Sequence, residues 1–354
     1  MRATAVLDTE RSVSAPIVAE AADADQAAWD AYVASHPDAT GYHSWAWRHV
    51  FKDALGHDSI YLVARANAAI VGVLPLVYIK SPIFGRTLTS LAFLNYGGVV
   101  AESETVAWAL LDAAGHIARR ERCGHVELRH IGRRFPSLPC RQHKVTMLLP
   151  LASGMWEKLD RKVRNQVRKA QKSDLTAERG DARLLPEFYT VFARNMRDLG
   201  TPVYSPRLFA EVLKRFPDRA HLHVVRLAGK PVAAGLTYQT AGRVEVPWAS
   251  SIRDYNALCP NHLLYWSVIE SAVERGCDTL DFGRSTPNEG TYKFKEQWGA
   301  QPVPLHWEYV LTQGTTLPEV GPKNPKYRLM IETWKKLPLV VATTLGPHVV
   351  RGIP

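Results

Sequence analysis

The chain is poor in cysteine. Four thiols, Cys123, Cys140, Cys259 and Cys277, are scattered through 354 residues, with no CxxC pair and no histidine cluster beside them. That spacing argues against a disulfide framework or a zinc site, and it fits a reducing compartment. His43, His130 and His262 have no partners at metal-ligand spacing, so each reads as structural and no metal is expected. Long apolar runs are missing too: none reaches the roughly 18 residues that a membrane-spanning helix needs. The opening "MRATAVLDTERSVSAPIVAEAADADQ" has no apolar stretch of secretory length and carries acids early. No signal peptide is expected, and the protein reads as cytoplasmic, with peripheral contact at the inner membrane left open. There is no GxSxG elbow and no P-loop, which sets aside serine-hydrolase chemistry and P-loop phosphotransfer.

Positive charge is in surplus. Forty-four Lys and Arg against 34 Asp and Glu leave a formal charge of +10, which favours an anionic partner. A 46% hydrophobic content is enough for a full core, and the length suggests two domains.

Periodicity supplies the element order. "DADQAAWDAYVAS" and "SWAWRHVFKDALG" read as helices, and "SIYLVARANAAIVGVLPLVYIK" reads as strand, turn, strand. "TLTSLAFLNYGGVVA", "TVAWALLDAAGHIARRERCG" and "HVELRHI" follow as strand, helix, strand. The second half repeats the plan: helices "LLPEFYTVFARNMRDLG" and "SPRLFAEVLKRFP", hairpin "LHVVRLAGKPVAAGLTYQT", strand "RVEVPWASSI", helix "NHLLYWSVIESAVERG" and strand "CDTLDFG". Laid over each other, the hairpins match Tyr61-Leu62-Val63 to Val224-Val225-Arg226, Asn67 to Lys230 and Gly72 to Gly235. Such a repeat predicts two similar α/β domains, each a mixed central sheet flanked by helices. The expected boundaries are a flexible start over 1–24, a first domain over 25–150, a second over 151–315 and a tail over 316–354.

Two stretches carry chemistry. In "WEKLDRKVRNQVRKAQKS" (156–173), helical spacing puts Trp156, Leu159, Val163, Val167 and Ala170 on one stripe. Arg161, Arg164, Arg168 and Lys172 line the flank beside it, with Asn165 among them, and no acid is interleaved. Guanidinium forks suit phosphate, so these five are candidate phosphate ligands; the alternative is a solvated helix face. No helix-turn-helix or RNP signature accompanies them, so no specific DNA partner is expected, although generic nucleic-acid binding by this helix is an alternative. In "CDTLDFGRSTPNEGTYKFKEQWGAQPVPL" (277–305), a strand delivers Asp281 to a glycine turn, followed by Arg284, Tyr292, Lys293 and Lys295. Asp281 or Glu289 is a candidate proton acceptor, the backbone at Gly283 or Arg284 a candidate oxyanion support, and Tyr292 a candidate donor to a leaving group.

"NHLLYWSVIESAVERGCDTLDFGRS" followed by "GTYKFKEQWGAQP" resembles the second-domain signature of the FemAB-type acyl/peptidyltransferase superfamily. "KVRNQVRKAQKS" resembles its basic helix and "NYGG" (Asn95 to Gly98) its first-domain strand-end motif. The pattern is most similar to the FemAB-like proteins associated with exosortase/PEP-CTERM systems. The resemblance implies tandem GNAT-like domains and transfer of an acyl or aminoacyl group to an amine of a cell-envelope or exopolysaccharide precursor. It also implies a phosphorylated or lipid-linked acceptor, with acceptor or donor phosphates held by the basic helix and Lys295, and Arg284 lining the same cleft. Asn95 and Tyr96 would border the acceptor groove, and Trp248 would wall the acyl pocket. Asn261 would open the helix that meets an anion. The glycine-rich acyl-CoA loop is absent from "YNALCPNHLLYW" and no long helical arm is inserted, so the donor stays open between acyl-CoA and aminoacyl-tRNA, with no tightly bound cofactor. A non-catalytic scaffold is the remaining alternative.

In the tail, Tyr327, Met330, Ile331 and Trp334 fall on one helix face with Lys326, Arg328, Lys335 and Lys336 nearby. That pattern fits packing on the first domain or on a membrane surface.

Overall fold

The two hairpins show how the halves are related. The structure, a computed structural model, describes residues 15–82, 84–312, 314, 317 and 325–353. Its strands are β1 (Ile17–Glu20), β2 (Asp58–Ala66), β3 (Ala69–Ser81), β4 (Gly85–Thr89), β5 (Val100–Ala101), β6 (His125–Ile131), β7 (Cys140–Pro150), β8 (Leu175–Gly180), β9 (Ala220–Leu227), β10 (Lys230–Thr240), β11 (Arg243–Ser251), β12 (Thr279–Ser285) and β13 (Gln301–Leu311). Its helices are α1 (Gln26–Ser35), α2 (Ala46–Val50), α3 (Glu104–Arg120), α4 (Met155–Lys158), α5 (Arg161–Lys172), α6 (Leu185–Leu199), α7 (Pro206–Arg215), α8 (Pro260–Glu274), α9 (Gly290–Glu296), α10 (Pro325–Lys335) and α11 (Leu339–Val350).

β2 and β3 are joined by Asn67-Ala68, β9 and β10 by Ala228-Gly229, and all four turn residues have positive φ, as a tight two-residue hairpin requires. Each hairpin also has a bulge at the same place, between Ile70 and Gly72 and between Pro231 and Ala233. The repeat is therefore real, but its register is two residues off the sequence overlay: Asn67 corresponds to Ala228, not Lys230. Few side chains repeat, so the turn and bulge fix the alignment where identities do not.

Both halves then form a short parallel pair. Thr87 to Thr89 lie beside His125 to Glu127, and Arg243 to Glu245 lie beside Thr279 to Asp281. Beyond three residues the parallel pairing ends. The two units share one sheet in the order β1-β2-β3-β4-β6-β13-β7-β12-β11-β10-β9-β8, with β5 paired to β3. In that order β7 joins β12, and β13 sits between β6 and β7. Each half lends a strand to the other, so a cut at 150/151 does not separate two independent sheets. Nor is all of 1–24 a loose start: β1 pairs with β2 from Ile17 to Glu20, while 1–14 lie outside the described residues.

Alternation decides what each face meets. On the back face, Val145, Met147, Val244, Val246, Leu280 and Phe282 join one core with α5 and α8. The residues between them, Thr146, Glu245 and Asp281, must point to the front. There α6, α7 and the tail cover a second core that includes Tyr42, Tyr96, Tyr238 and Leu305. Helix α5 follows its expected stripe: Leu159, Val163, Val167 and Ala170 are buried, and Asp160 caps the helix.

The tail is a correction. α10 and α11 pack mainly on α6 of the second half, with Trp334, Leu337 and Leu339 against the front core. The chain end reaches the first half, where His57 Nε2 meets the Arg351 carbonyl at 2.8 Å. Residues 318–324 of the tail, and the side chains of Lys326 and Tyr327, lie outside the described residues. Among the described residues no helix is long and apolar enough to cross a membrane. Gly346 sits against the Val203 main chain, 2.6 Å from where a Cβ would stand. Gly346→Ala should therefore push α11 outward and cost about 1–3 kcal/mol, a Tm loss of a few degrees by differential scanning fluorimetry. An unchanged Tm would show that α11 is not seated there.

Candidate functional site

Glu245 and Asp281 are register partners on adjacent parallel strands, so two carboxyls stand side by side on the front face. Asp281 is fully buried and accepts three hydrogen bonds: from Tyr96 OH at 2.9 Å, Thr146 OH at 2.5 Å and its neighbour's amide, Gly283 N, at 2.7 Å. Gly283 takes φ +76°, where a side chain would be strained, and this brings its N–H back onto Asp281. Three donors thus converge on the Asp281 oxygens.

Glu245 carries the proton. Burial first, and the Asp281 charge second, push its carboxyl up from 4.5 to about 8, against the smaller pull of the Tyr42 and Tyr96 hydroxyls and Arg243. It is 2% exposed; the Tyr42 and Tyr96 hydroxyls face it, yet its Oε2 and the Tyr42 hydroxyl do not close a hydrogen bond of good geometry. Buried polar atoms are rarely left so, and this one borders open space.

That space is a cavity of about 570 Å³ between the halves, a size typical of small-molecule sites. Glu245, Tyr96 and Arg243 line it together with Thr40 and Gly41 from the first half and Asp278 and Thr279 from the second. Tyr42 stacks on Tyr238 with ring centroids 6.0 Å apart and meets Tyr96 edge-on at 5.3 Å, walling the carboxyl pair with aromatic rings. His130 also lines the cavity but is fully engaged: Nδ1 lies 2.7 Å from Glu308 and Nε2 accepts from Val99 N at 2.9 Å. It positions the 97–99 loop. His43 is pushed down to about 4 by burial and is hydrogen-bonded to Thr40 N and the Gly98 carbonyl.

Not all sequence candidates converge here. Asp281 and Tyr96 do, and Asn95 lies against Gly283. Arg284 lies further along β12, stacked on Trp307 beside Arg129. Tyr292 is a correction: "TYKFK" belongs to α9, and Tyr292 packs on the back core, across the sheet from Asp281. Lys293 is exposed. Lys295 turns inward and donates to the carbonyls of Gly283 at 2.8 Å and Arg284 at 3.1 Å, and burial pulls its pKa down to about 8. It braces the strand end instead of offering its charge to a phosphate. Trp248 packs edge-on against Phe209 in the front core, ring centroids 5.4 Å apart. Asn261 donates to Ser251 Oγ at 2.8 Å at the start of α8.

The helix α5 is also across the sheet from Asp281. Arg161, Asn165, Arg168 and Lys172 are exposed, and Arg164 is half-buried with its Nε unpartnered. Among the described residues none of these cations forms an ion pair, and Arg168 stacks on Trp156. The sequence reading missed Glu245, Tyr42, Thr146 and Arg243. Glu245 left one usable signal, a lone acid in the apolar strand "RVEVPW".

Residues 157–296 match the model of the acetyltransferase (GNAT) domain family. That match gives residues 157–296 as a GNAT-type acetyltransferase domain, and the fold of the chain is similar to tandem-GNAT structures. A FemX structure superposes with TM-score 0.64 at 16% identity, covering 89% of this chain and 100% of that one. The tandem GNAT protein from the clavulanic acid biosynthesis pathway gives 0.54 at 10% identity, over 85% and 100%. L-PGS from Bacillus licheniformis gives 0.51 at 10% identity, over 76% and 87%. No curated protein matches the chain.

Proposed function

We propose that the protein forms an amide by transferring an acyl or aminoacyl group to an amine held in the cavity between the halves, with Glu245 as the proton acceptor. The observation that carries this reading is the buried Glu245 carboxyl at the cavity wall, its Oε2 without a closed hydrogen bond, beside a hydrogen-bonded Asp281. Attack by an amine on an activated carbonyl leaves a proton on nitrogen. A carboxylate whose acid form has a pKa of about 8 is well matched to take it near neutral pH. The departing group takes its proton from the Glu245 acid so formed, which the Tyr42 and Tyr96 hydroxyls face.

The acceptor belongs, on this reading, to a cell-envelope or exopolysaccharide precursor bearing phosphate, as an exosortase-linked FemAB-like protein would require. The FemX and L-PGS likenesses support the envelope side of it. Acyl-CoA and aminoacyl-tRNA both remain donors; the exposed cations of α5, on the far face of the sheet, hold the donor's phosphates, and only its acyl arm reaches the cavity. Peripheral association with the inner membrane accompanies a lipid-linked acceptor. Arg164→Ala/Arg168→Ala should raise KM for the donor roughly tenfold or more and leave kcat intact, the pattern of lost uniform binding. An unchanged KM would remove α5 from the donor site.

The test is an incubation with radiolabelled acetyl-CoA, or with mixed aminoacyl-tRNA, and an amine-containing envelope extract. Label should enter a product that resists hydroxylamine, as amides do and esters do not, and Glu245→Gln should form it at least about a hundredfold more slowly. Ester product alone, or equal product from the variant, would sink the proposal.

A further inference from the structure

Arg284 is a largely buried cation without a counter-ion. Its guanidinium makes no ion pair, Nη1 is sealed from water and has no hydrogen-bond partner, and the side chain lies on the Trp307 ring at 5.5 Å. The neighbouring Arg129 stacks on the same ring at 4.3 Å. Arg129 at least has an acid, Glu127, at 2.7 Å, and that acid is spent on it. Lys144, turned to Thr286 at 2.6 Å, adds a third cation near Arg284, and His143 packs edge-on against Trp307 at 4.7 Å. Burial and the Arg129 charge drag Arg284 down to about 10. Of the acids nearby, Glu127 is spent on Arg129, Glu289 acts on Lys144, and Asp281 is occupied by its three donors, so none is left for Arg284.

The donors left over point the same way. Trp307 Nε1 is buried without an acceptor, and so is Nδ2 of Asn95, which is 8% exposed and lies against Gly283, next to Arg284 in the chain. Isolated buried charges and orphaned N–H groups each cost free energy, and a ligand oxygen would satisfy several at once. Alternation explains why they assemble. Arg284 pairs with Thr146, and Arg129 with Trp307, so both arginines face the front. The exchanged strands β7 and β13 bring Lys144 and Trp307 between them, so neither half alone holds the set.

We infer that Arg284, Arg129, Trp307 and Asn95 form a binding site for an oxyanion, a carboxylate or phosphate group carried by a substrate, at the front of the seam between the halves. The site rests on the amide-forming reading for its purpose: along β12 it lies just beyond Asp281, so an anion seated there fixes the substrate relative to the carboxyl pair. Guanidinium forks on an aromatic face recognise planar or tetrahedral oxyanions well.

The test needs neither donor nor turnover. In 15N-labelled protein the Trp307 indole N–H resonance, assigned by its loss in Trp307→Phe, is followed while sodium acetate or inorganic phosphate replaces chloride at constant ionic strength. We expect a saturable shift at millimolar concentration with one of the two anions, and the anion saturating first names the group. Arg284→Gln should abolish the shift, and Arg284→Lys should weaken it at least tenfold. Should the Gln variant fail to fold, the Lys variant decides. A non-saturating drift with both anions, or an undiminished shift in Arg284→Lys, overturns the site. Failure here leaves Glu245 untouched, whereas an inactive cavity with an intact indole shift would overturn only the amide-forming reading.

Discussion

Replacing Glu245 with Gln is expected to slow amide formation by about 10²–10⁴-fold, the usual contribution of a positioned proton acceptor. The same change should stabilise the protein. The Glu245 carboxyl stands at about 8 in the native state against 4.5 unfolded, so protonation favours folding. That contribution is complete below pH 4.5 and is lost progressively as pH rises to about 8. Gln keeps the neutral shape at every pH. The Tm difference between variant and wild type should therefore be small at pH 4.5 and grow towards pH 8, where it is worth on the order of a few kcal/mol. Wild-type turnover should climb with pH until about 8 as Glu245 becomes a base. A stability difference that does not change with pH would show that Glu245 is not the protonated partner.

Loss of Asp281 should act in the opposite direction on stability. Asp281→Ala strands the Tyr96 hydroxyl, the Thr146 hydroxyl and the Gly283 N–H inside the protein, each a penalty of about 1–3 kcal/mol when left unsatisfied. Summed, these approach the whole stability of an ordinary domain, and little folded protein is expected at 37 °C. Asp281→Asn is the more informative variant. It keeps the shape but removes the charge that helps to lift Glu245, so the Glu245 titration should move down. Circular dichroism melts read the first variant and a carboxyl titration the second. An Ala variant that melts like wild type would mean that the three hydrogen bonds do not hold the strand end.

These two carboxyls show where sequence reasoning reaches and where it stops. Asp281 was legible because a strand, an acid and a glycine turn follow one another in "TLDFG", and Tyr96 was legible through "NYGG". Glu245 was not. It precedes Asp281 by 36 positions, and only the parallel register of β11 and β12 makes them neighbours. Thr146 reaches Asp281 through the exchanged strand β7, which no local pattern announces. The α5 stripe was read correctly because helical periodicity is local. Its distance from the carboxyl pair is a property of the sheet, whose two faces separate them. Lys295 was misassigned for a related reason: in α9 it falls on the buried side, while Lys293, two residues earlier, is exposed.

The most direct measurement is a 13C titration of the glutamate side-chain carboxyls in labelled protein, wild type against Glu245→Gln. One resonance, absent from the variant, should titrate with a midpoint near 8 while the exposed glutamates titrate far lower. If every glutamate carboxyl in the wild type is ionised by about pH 5, Glu245 holds no proton at neutral pH, and the proposed proton acceptor is wrong.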